Sequence, residues 1–507
     1  MTTNTYAAVD LGATSGRVLT GRLDGRRLVT AEAARFVNEP VRVPVGDRQV
    51  LQWDVLALWA GARAGLDAAH RASGGLASVG VDTWAVDHGL LDADGALLGN
   101  PVHYRDERTA GAADRFFAAL PAETHYAITG AQVQPFNTVF QLLAAAGSAQ
   151  LGAAARVLLV PDLLTAWLGG AHVTEVTNAS TTGLLDVGTR RWSPRVLERL
   201  DALAGSDVSR LLAPLVEPGT VLGPVLPTHG WGGTHVVAVG SHDTASAVAA
   251  VPMADPAHAA YISSGTWSLV GVELDAPVRT EASRRANVTN ELGVAGTVRY
   301  LKNVAGLWLL SESQRTWRAQ GRETALAALL AAAADVPACR TVVDVDDPVL
   351  SAPGDMPARI AELARSSGQP VPDDEATTTR CILDSLALAY RRALRTVARL
   401  ADRDVRVVHV VGGGARNDLL CRLTADATGL PVVAGPVECT ALGNLLVQAG
   451  ALGDLDGGLP AVREVVAASS DLTRWEPSGD ATLWDRAEAR LDALAGGSPR
   501  RSDRRTE

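Results

Sequence analysis

The stretch Val9-Asp10-Leu11-Gly12-Ala13-Thr14-Ser15-Gly16-Arg17 indicates how this chain folds. Apolar residues lead into the carboxylate of Asp10, and a short turn follows with a glycine at each end. This pattern predicts two antiparallel strands joined by a tight turn. Glycines let backbone N–H groups approach a ligand closely, and the hydroxyls of Thr14 and Ser15 add donors. We therefore predict a phosphate-binding hairpin in which Arg17 supplies a fixed cation and Asp10 holds Mg²⁺ through water.

The predicted turn differs from a P-loop. A P-loop continues into Gly-Lys-Ser/Thr and a long helix, and neither follows Gly16 in this sequence. Short glycine motifs also occur in ordinary hairpins, so an ordinary turn is the alternative for this stretch taken alone. The rest of the sequence has to decide between the two.

Length and composition predict a globular protein of several domains. The chain has 507 residues, which is too many for one ordinary core, so two or three domains are expected. The net charge is −10, and apart from a short arginine cluster at the end no basic stretch is large enough to bind nucleic acid. No apolar run reaches the roughly 20 residues that span a bilayer, so we expect no membrane association.

The start of the chain and its cysteines predict a cytoplasmic location. The first residues lead directly into a predicted strand, without the basic and apolar regions of a secretory signal. The four cysteines, Cys339, Cys381, Cys421 and Cys439, form no C-x-x-C pair and are expected to be reduced.

The first half of the sequence alternates between strand and helix patterns. A third strand is predicted over residues 28–35, and Asp54 is a good N-cap for a helix with apolar residues at helical spacing. Residues 77–81 predict a buried strand that leads into Asp82-Thr83-Trp84-Ala85-Val86-Asp87-His88, and residues 89–91 predict another strand. This order favours a mixed or parallel sheet with helices on its faces.

Polar and aromatic clusters interrupt the helical segments that follow. They lie at His103–Asp106, Gln134–Thr138, Pro161–Asp162 and Glu175–Thr182. Amides, hydroxyls and carboxylates are the groups that hydrogen-bond a sugar, so these clusters indicate a polyol pocket. Surface loops and helix caps explain them equally well at this stage.

The second half repeats the opening pattern. Tyr261–Val270 again has the order strand, glycine-and-hydroxyl turn and strand, and about half of the chain separates Asp10 from Ser263. The repeat predicts two similar domains, each presenting a phosphate-facing hairpin to a shared cleft. We place the boundary near residue 250.

A second ligand cradle is predicted near residue 412. A strand over residues 405–411 ends in Gly412-Gly413-Gly414, and a helix over residues 417–427 follows. Such glycines let a flat ring or a phosphate lie against the backbone at the positive end of a helix. A flexible turn is the alternative. Upstream, residues 300–310 are predicted as an apolar helix with a polar start, and residues 377–400 as a long helix.

Asp243 is the strongest candidate for a general base. It follows the strand predicted over residues 236–239 and lies between His242 and Thr244, which can fix its orientation. Capping the alanine-rich helix that follows is the alternative role. In phosphoryl transfer a carboxylate can accept the proton of the attacking hydroxyl late, which contributes about 10² to 10⁴ in rate.

Taken together and in order, the motifs resemble those of the FGGY carbohydrate kinases. The resemblance runs from about residue 5 to residue 455 and lies in Asp10–Arg17, Val81–Asp87, Tyr104–Asp106, Asn178–Thr182, His242–Thr244, Ile262–Leu269, Lys302–Leu310, Gly412–Gly414 and Gly435–Asn444. It implies an α/β fold of two ribonuclease-H-like, actin-like ATPase domains that close over ATP and a sugar. The expected domains are 1–248, with the sugar pocket and the first hairpin, and 253–455, which binds nucleotide. Residues 456–507 are expected to form a helical extension that ends in a disordered tail, residues 498–507.

The resemblance also implies a reaction and a set of site residues. The expected reaction is the phosphorylation of L-rhamnulose at O1 by ATP, with Mg²⁺ held through water by Asp10. The ATP-binding residues implied are Ala13, Thr14, Ser15, Gly16, Arg17, Thr266, Ser311 and Gly413. The sugar-binding residues implied are Ala85, His242, Asp243, Thr244 and Asn303, with Asp243 as the catalytic base.

The sequence departs from the family pattern at three positions. Ala85 replaces a usual glycine near the sugar, Ser311 replaces a nucleotide-contacting glutamine, and Leu292 replaces a small glycine. Other sugar kinases of this family, for xylulose, fuculose or glycerol, are the nearest alternatives. A non-catalytic actin-like protein, such as a filament former or a nucleotide-gated chaperone, is the alternative from another functional class.

Overall fold

The computed structural model describes residues 4–322 and 324–497. The predicted disordered tail, Ser498–Glu507, lies outside the described residues. None of the helices described is long and apolar enough to cross a membrane. All four cysteines are buried and carry free thiols.

Up to residue 257 the chain alternates between strands and helices. The strands are β1 Thr5–Leu11, β2 Ser15–Asp24, β3 Arg27–Val37, β4 Pro40–Val45, β5 Arg48–Trp53, β6 Ser78–Thr83, β7 His88–Leu91, β8 Arg156–Leu159, β9 Thr174–Glu175, β10 Leu185–Asp186, β11 Arg191–Trp192, β12 Leu215–Val216, β13 Val221–Pro224 and β14 His235–Val237. The helices are α1 Val55–Ser73, α2 Ala112–Ala119, α3 Ala122–Thr129, α4 Thr138–Ala144, α5 Ala149–Ala153, α6 Val160–Gly169, α7 Val176–Ala179, α8 Pro194–Ala204 and α9 Asp243–Ala249.

Beyond residue 257 the helices are longer on average, and α14 is the longest among the described residues. The strands are β15 Ala259–Ser264, β16 Trp267–Leu274, β17 Thr289–Leu292, β18 Val298–Ala305, β19 Val407–Val411, β20 Val432–Ala434 and β21 Thr473–Trp475. The helices are α10 Glu281–Arg285, α11 Trp308–Ala319, α12 Leu326–Ala334, α13 Met356–Ser366, α14 Glu375–Leu400, α15 Asp418–Thr428, α16 Cys439–Ala451, α17 Gly458–Ser469 and α18 Ala481–Gly497.

The residues pack into two compact units that do not follow the chain in two continuous blocks. Among the described residues, unit 1 consists of 4–257, Val272–Lys302 and Glu438–Asp471. Unit 2 consists of His258–Gly271, Asn303–Val437 without residue 323, and 472–497. The division into domains 1–248 and 253–455 stays a prediction.

Unit 1 contains a six-stranded sheet in the order β13-β14-β6-β1-β2-β3. β2 pairs antiparallel with both β1 and β3, and the opening glycine turn predicts the β1–β2 pair. β1 and β6 run parallel. In this register Asp10 lies opposite Arg17 on one side and beside Asp82 on the other. The carboxyl ends of β1 and β6 therefore bring two aspartates to one edge of the sheet.

The helix predicted after Asp54 covers one face of this sheet. The Asp54 carboxylate caps α1 by accepting from the N–H of Ala57 at 3.2 Å. Leu58 and Leu66 lie on the apolar stripe of the helix and are buried in the same core as Val18 of β2. Burying such a stripe, rather than intrinsic helix propensity, is the main source of stability for a surface helix.

Unit 2 repeats the strand arrangement of the first hairpin. β15 and β16 are antiparallel, β15 runs parallel to β19, and β19 runs parallel to β20. The repeat expected from Asp10 and Ser263 therefore corresponds to the same supersecondary unit in both places. The long helix expected over residues 377–400 is α14, which begins in a capping box formed by Asp374 and Thr377.

The helix predicted over residues 300–310 is wrong in its first half. Residues up to Ala305 form β18, which pairs antiparallel with β17, and α11 begins only at Trp308. The consecutive residues Arg299, Tyr300 and Leu301 are all fully buried, because both faces of the strand are covered. The sequence therefore lacks the alternation of apolar and polar residues that identifies a half-exposed strand. Asn303, expected at the start of a helix, lies in β18 instead.

Two glycines of α16 provide a matched test of packing in unit 1. A Cβ on Gly443 would lie 1.9 Å from the carbonyl oxygen of Ser246 in α9, whereas a Cβ on Gly450 would lie 3.7 Å from its nearest neighbour. We expect Gly443→Ala to lower the free energy of unfolding by about 3 kcal/mol or more, because a backbone carbonyl has to move. Gly450→Ala should keep the stability unchanged or raise it by up to about 1 kcal/mol, because alanine favours the helix.

Urea unfolding of the two variants measures both effects. Equal stabilities for Gly443→Ala and Gly450→Ala would contradict the close approach of α16 to α9.

Candidate functional site

The glycine turn between β1 and β2 is braced by a buried asparagine. The Gly12 N–H donates to the Ser15 carbonyl at 2.9 Å, and the Asn38 side chain donates to the Gly12 carbonyl at 2.8 Å. Thr14 at the tip is exposed. A Cβ on Gly16 would lie 2.3 Å from the ring of Phe36, so packing against this ring is one reason for a glycine here.

Arg17 is held by carboxylates in the position expected for a fixed cation. Its Nη2 and Nε donate to Asp10 Oδ2 at 2.7 and 3.0 Å, and its Nη1 pairs with Glu438. Burial limits the motion of both side chains, since Asp10 is nearly inaccessible and Arg17 is mostly covered. The guanidinium is thus fixed beside the turn, with its donors directed at the two carboxylates.

Asp82 is a second buried carboxylate next to Asp10. Its Oδ2 accepts from Nδ2 of Asn444 at 2.6 Å, while its Oδ1 is buried and has no hydrogen-bond partner among the described residues. Burial, reinforced by the negative charge of Asp10, raises the pKa of Asp82 well above its usual value. An unpartnered buried oxygen of this kind indicates a missing ligand or water.

These two carboxylates fit a magnesium ion that keeps most of its water. The residues that the structure describes contain no group of three or more His, Cys, Asp or Glu side chains arranged to hold a metal. Mg²⁺ is usually bound by one or two carboxylates together with waters and substrate phosphates. Asp10 and Asp82 supply that number of carboxylates beside the predicted phosphate turn, so the residues present fit the ion.

Asp243 lies at the first position of α9, immediately after the loop that follows β14. His242, rather than Asp243, is the N-cap residue, so the alternative role of Asp243 as the cap is wrong. Asp243 Oδ1 accepts from the N–H and the hydroxyl of Thr244 at 2.6 and 3.1 Å. A third of its side chain is exposed, and partial burial together with the charge of Asp10 raises its pKa, partly offset by His242.

A buried glutamate fixes the loop that carries Asp243. Glu175 Oε2 accepts from the N–H and the hydroxyl of Ser241 at 2.9 and 2.8 Å. The Ser241 carbonyl in turn accepts from the N–H of Thr83, and Thr83 pairs with His242 in a parallel bridge. The end of β6 and the start of α9 are therefore held side by side.

His242 connects Asp243 to a buried ion pair. Its Nε2 lies 3.3 Å from Asp243 Oδ1, and its Nδ1 lies 3.3 Å from Glu291 Oε2. Arg299 Nη1 lies 2.9 Å from the same Glu291 oxygen. Burial alone would raise the pKa of Glu291, but the charge of Arg299 and the contact with His242 lower it overall.

Asp87 joins the polar clusters that were predicted to form a sugar pocket. Its Oδ2 accepts from the indole N–H of Trp53 at 2.6 Å, from that of Trp84 at 3.1 Å and from the N–H of Tyr104 at 3.2 Å. Its Oδ1 accepts from Nε2 of Gln141 at 2.8 Å. Burial raises its pKa to about 6 in spite of these donors. The Asp87 carboxylate thus holds together the four chain segments that contain Trp53, Trp84, Tyr104 and Gln141. We call the surface that they form the wall.

Aromatic rings stack along this wall. The ring centroids of Trp53 lie 3.9 Å from Trp84 and 4.0 Å from His103, and His103 stacks on Tyr104 at 4.5 Å. Tyr104 lies 5.3 Å from Phe136 and is partly exposed, as Phe136 is. Partly exposed aromatic faces next to polar groups are typical of pockets that bind small ligands.

The backbone at Val86 is strained. Its φ is 67°, which a β-branched residue adopts only when its surroundings enforce it. Its carbonyl accepts from the hydroxyl of Thr138 at 2.7 Å, and Gln141 also reaches it. The turn leaves Ala85 partly exposed and directs Asp87 inward.

The polar cluster at residues 134–138 is used largely for internal support. Asn137 accepts from the N–H of Gln134 at 2.8 Å and donates to the Thr181 carbonyl at 3.1 Å. The sequence left open whether this cluster is a surface loop or a sugar contact. In the structure its amide and hydroxyl hold the wall together.

In unit 2 the turn between β15 and β16 packs against the start of α11. The N–H of Leu307 donates to the Gly265 carbonyl at 2.9 Å, and the N–H of Trp308 donates to the Thr266 carbonyl at 3.3 Å. A Cβ on Gly306 would lie 2.6 Å from the Gly265 carbonyl oxygen. Ser311 lies in the first turns of the same helix and is exposed.

The triple glycine has two separate roles. Gly412 has φ 80°, and a Cβ there would lie 3.0 Å from the Ser264 carbonyl oxygen. A Cβ on Gly414 would lie 2.1 Å from the Ser264 hydroxyl. Gly413 alone is exposed and has open space around its Cα, so only this glycine matches the predicted approach of a ligand.

The structure thus groups the sequence-predicted residues by unit. Unit 1 holds Asp10, the turn with Ala13–Arg17, Ala85 and His242–Thr244, and unit 2 holds Thr266, Asn303, Ser311 and Gly413. Sequence reasoning did not assign roles to Asp82, Glu175, Glu291 and Arg299, which support the site. The opposition of Glu291 and Arg299 across a short hairpin is the one signal that could have indicated their pairing.

Comparison with known proteins gives the same family for both halves of the chain. Residues 5–250 match the N-terminal domain of the FGGY family of carbohydrate kinases, and residues 260–452 match its C-terminal domain. A rhamnulokinase of Bacteroides thetaiotaomicron is 42% identical over 485 residues, which cover 95% of this chain and 97% of that protein. A rhamnulokinase of Klebsiella pneumoniae subsp. pneumoniae is 41% identical over 480 residues, 94% and 95% of the two chains.

Solved structures agree on the fold. The crystal structure of Plasmodium falciparum glycerol kinase with ADP matches with a TM-score of 0.76, covering 97% of this chain and 98% of that chain. At 13% identity this likeness concerns the fold alone. It confirms the expected two-domain α/β fold of the actin-like ATPase type. A kinase family matched over both halves also favours an enzyme over the non-catalytic alternative, and the chain belongs to the FGGY family of carbohydrate kinases.

Proposed function

We propose that this carbohydrate kinase transfers the γ-phosphoryl group of ATP to O1 of L-rhamnulose, giving L-rhamnulose 1-phosphate and ADP. The similarity to rhamnulokinases along nearly the whole chain is the observation that supports this substrate. Kinases of this family for xylulose, fuculose and glycerol are the alternatives. We place the reaction in the cytoplasm, where the ATP it consumes is available.

The wall built on Asp87 has the mixed character that such a sugar requires. L-Rhamnulose is a deoxyketose, so it presents hydroxyl groups together with one methyl group. The partly exposed faces of Tyr104 and Phe136 suit the methyl group, and the polar groups of His242 and Thr244 suit the hydroxyls. Ala85 would face the sugar with one methyl more than glycine, and Asn303 would bind a sugar hydroxyl.

The nucleotide would be held by glycine turns and a fixed cation. Ala13–Gly16 would offer backbone N–H groups and hydroxyls to the phosphates, and Arg17 would pair with their negative charge. Thr266, Ser311 and Gly413 would contact the nucleotide as well. Mg²⁺, when bound, would neutralise negative charge on the phosphates during transfer. Asp10 would hold it through water, with Asp82 beside it.

Asp243 would act as the base for the acceptor hydroxyl. Its carboxylate accepts the O1 proton as the oxygen–phosphorus bond forms and the bond between the γ-phosphorus and the leaving oxygen of ADP breaks. His242 and Thr244 hold the carboxylate from two sides. The exposed third of the side chain leaves a face open to substrate.

The pH dependence of turnover reports the state of this base. Asp243 must be ionised to accept a proton, so activity is lost as pH falls through its pKa. Because burial and the neighbouring Asp10 raise that pKa while His242 partly offsets the shift, the acid limb of kcat/KM should lie above about 4, the ordinary value for aspartate. The kcat/KM for MgATP, measured at limiting MgATP, reports the enzyme before the ion binds and tests this. An acid limb at or below the ordinary value would contradict it.

A substrate panel tests the proposed specificity. Purified protein is given L-rhamnulose, xylulose, fuculose and glycerol, and ADP release is followed for each acceptor. We expect the highest kcat/KM with L-rhamnulose. A higher value with another acceptor would assign the chain to another substrate within the same family.

A further inference from the structure

A buried glutamate–arginine pair lies behind the proposed base. Glu291 of β17 and Arg299 of β18 stand opposite each other in antiparallel register. Their side chains are 7% and 0% exposed. Removing two charges from water is costly even when they pair, and apolar residues often stabilise such a position better. The pair is therefore poorly explained by stability alone.

Both members of the pair reach the same nitrogen of His242. Nδ1 lies 3.3 Å from Glu291 Oε2 and 3.2 Å from Arg299 Nη2. Nε2, on the opposite side of the ring, lies 3.3 Å from Asp243 Oδ1. The imidazole, itself buried, thus lies between the ion pair and the carboxylate.

The chemistry of these groups fixes what each nitrogen does. A guanidinium only donates and a carboxylate only accepts. Arg299 Nη2 can therefore only donate to Nδ1, at 3.2 Å. Glu291 Oε2 makes no hydrogen bond among the described residues, and its charge lies 2.9 Å from Arg299 Nη1 and 3.3 Å from Nδ1. An Nδ1 that accepts carries no hydrogen, so the hydrogen of the neutral ring is on Nε2, and ionised Asp243 can accept it.

We propose that Glu291 and Arg299 are positioning residues that hold the ring of His242 so that its Nε2–H points at the carboxylate of Asp243. The held ring fixes the orientation of that carboxylate and leaves its exposed oxygen for the sugar hydroxyl. This inference rests on the proposed role of Asp243 as the base. It assigns a catalytic purpose to two residues that touch neither substrate nor Asp243 directly.

Three variants separate positioning from stability. Glu291→Gln removes the negative charge beside Arg299, and Glu291→Gln combined with Arg299→Met also removes the unpaired buried positive charge and the donor to Nδ1. The matched control is Glu273→Gln, because Glu273 and Arg463 form a similarly buried pair in unit 1, with Arg463 Nη2 2.8 Å from both carboxylate oxygens.

We expect Glu291→Gln to lower kcat by about 10-fold to 100-fold while the KM for ATP stays within about threefold. The double variant should regain thermal stability without regaining kcat. Glu273→Gln should lose stability and retain kcat. A kcat within about twofold of wild type in the double variant would overturn the inference, as would an equal loss of kcat in Glu273→Gln.

Nitrogen-15 NMR of histidine-labelled protein gives a readout that needs no sugar. In the wild-type protein Nε2 of His242 should carry a hydrogen, and in the double variant the ring should exchange between tautomers. A wild-type Nε2 without a hydrogen at neutral pH would overturn the inference. A protonated Nε2 in a protein that does not phosphorylate L-rhamnulose would support the inference and count against the proposed substrate instead.

Discussion

Asp243→Asn is expected to lower kcat for sugar phosphorylation by about 10² to 10⁴ while ATP still binds with nearly unchanged affinity. The substitution preserves the size of the side chain and its bonds to Thr244, but an amide cannot accept the proton of the sugar hydroxyl. ATP affinity should be retained because the phosphate turn and Arg17 are untouched. Single-turnover phosphorylation and ATP titration of the same preparation measure the two quantities.

Asp54→Asn is the matched control for this substitution. Asp54 caps α1, and asparagine caps helices as well as aspartate does, so kcat should not change. If Asp243→Asn retained more than about a tenth of the wild-type kcat, Asp243 would not be the base.

Asp10→Asn should weaken metal binding by about 10-fold to 100-fold and lower kcat by a similar factor. Asp10 is the buried carboxylate beside the phosphate turn, and the amide carries no charge for the hydrated ion. Mn²⁺ can replace Mg²⁺ as a spectroscopic probe, so electron paramagnetic resonance with ADP present measures the affinity directly. Sugar binding should be unchanged.

The loss of an ion-pair partner has to be separated from the loss of the metal site. Arg17 pairs with Glu438 as well as with Asp10, so Glu438→Gln removes one partner of Arg17 and preserves the Asp10 carboxylate. We expect Mn²⁺ affinity in Glu438→Gln to stay within about threefold of wild type. Equal losses in both variants would show that Arg17, rather than the metal, accounts for the effect.

Much of the fold could be predicted because local patterns and tertiary structure agree. The glycine turn after Asp10, the cap at Asp54 and the helical spacing of α14 each specify one local structure, and the structure contains all three. The prediction failed at residues 300–305, where tertiary burial of both faces of β18 removes the alternation that identifies a strand. The failure has a physical cause in the packing rather than in the local propensity.

The candidate site was only partly visible in the sequence. Asp10 and Asp243 stand out because each follows an apolar strand and precedes a turn or helix. Asp87 acts through buried contacts with Trp53, Tyr104 and Gln141, and Glu291 and Arg299 act through His242. These partners are distant in the chain, so a linear pattern does not show the contacts. The glycine pattern alone does not distinguish the three glycines at 412–414, and the family resemblance selects Gly413. In the structure Ser264 fills the space beside Gly412 and Gly414 and leaves Gly413 open.

Phosphorus-31 NMR of the reaction mixture tests the central claim most directly. Protein, ATP, Mg²⁺ and L-rhamnulose are incubated together, and a parallel sample lacks the sugar. We predict one new phosphate ester per ADP, with its phosphorus coupled to the two protons on C1 of the sugar, and little ADP without the sugar. ADP formed at the same rate in both samples, with inorganic phosphate as the only other product, would contradict the account.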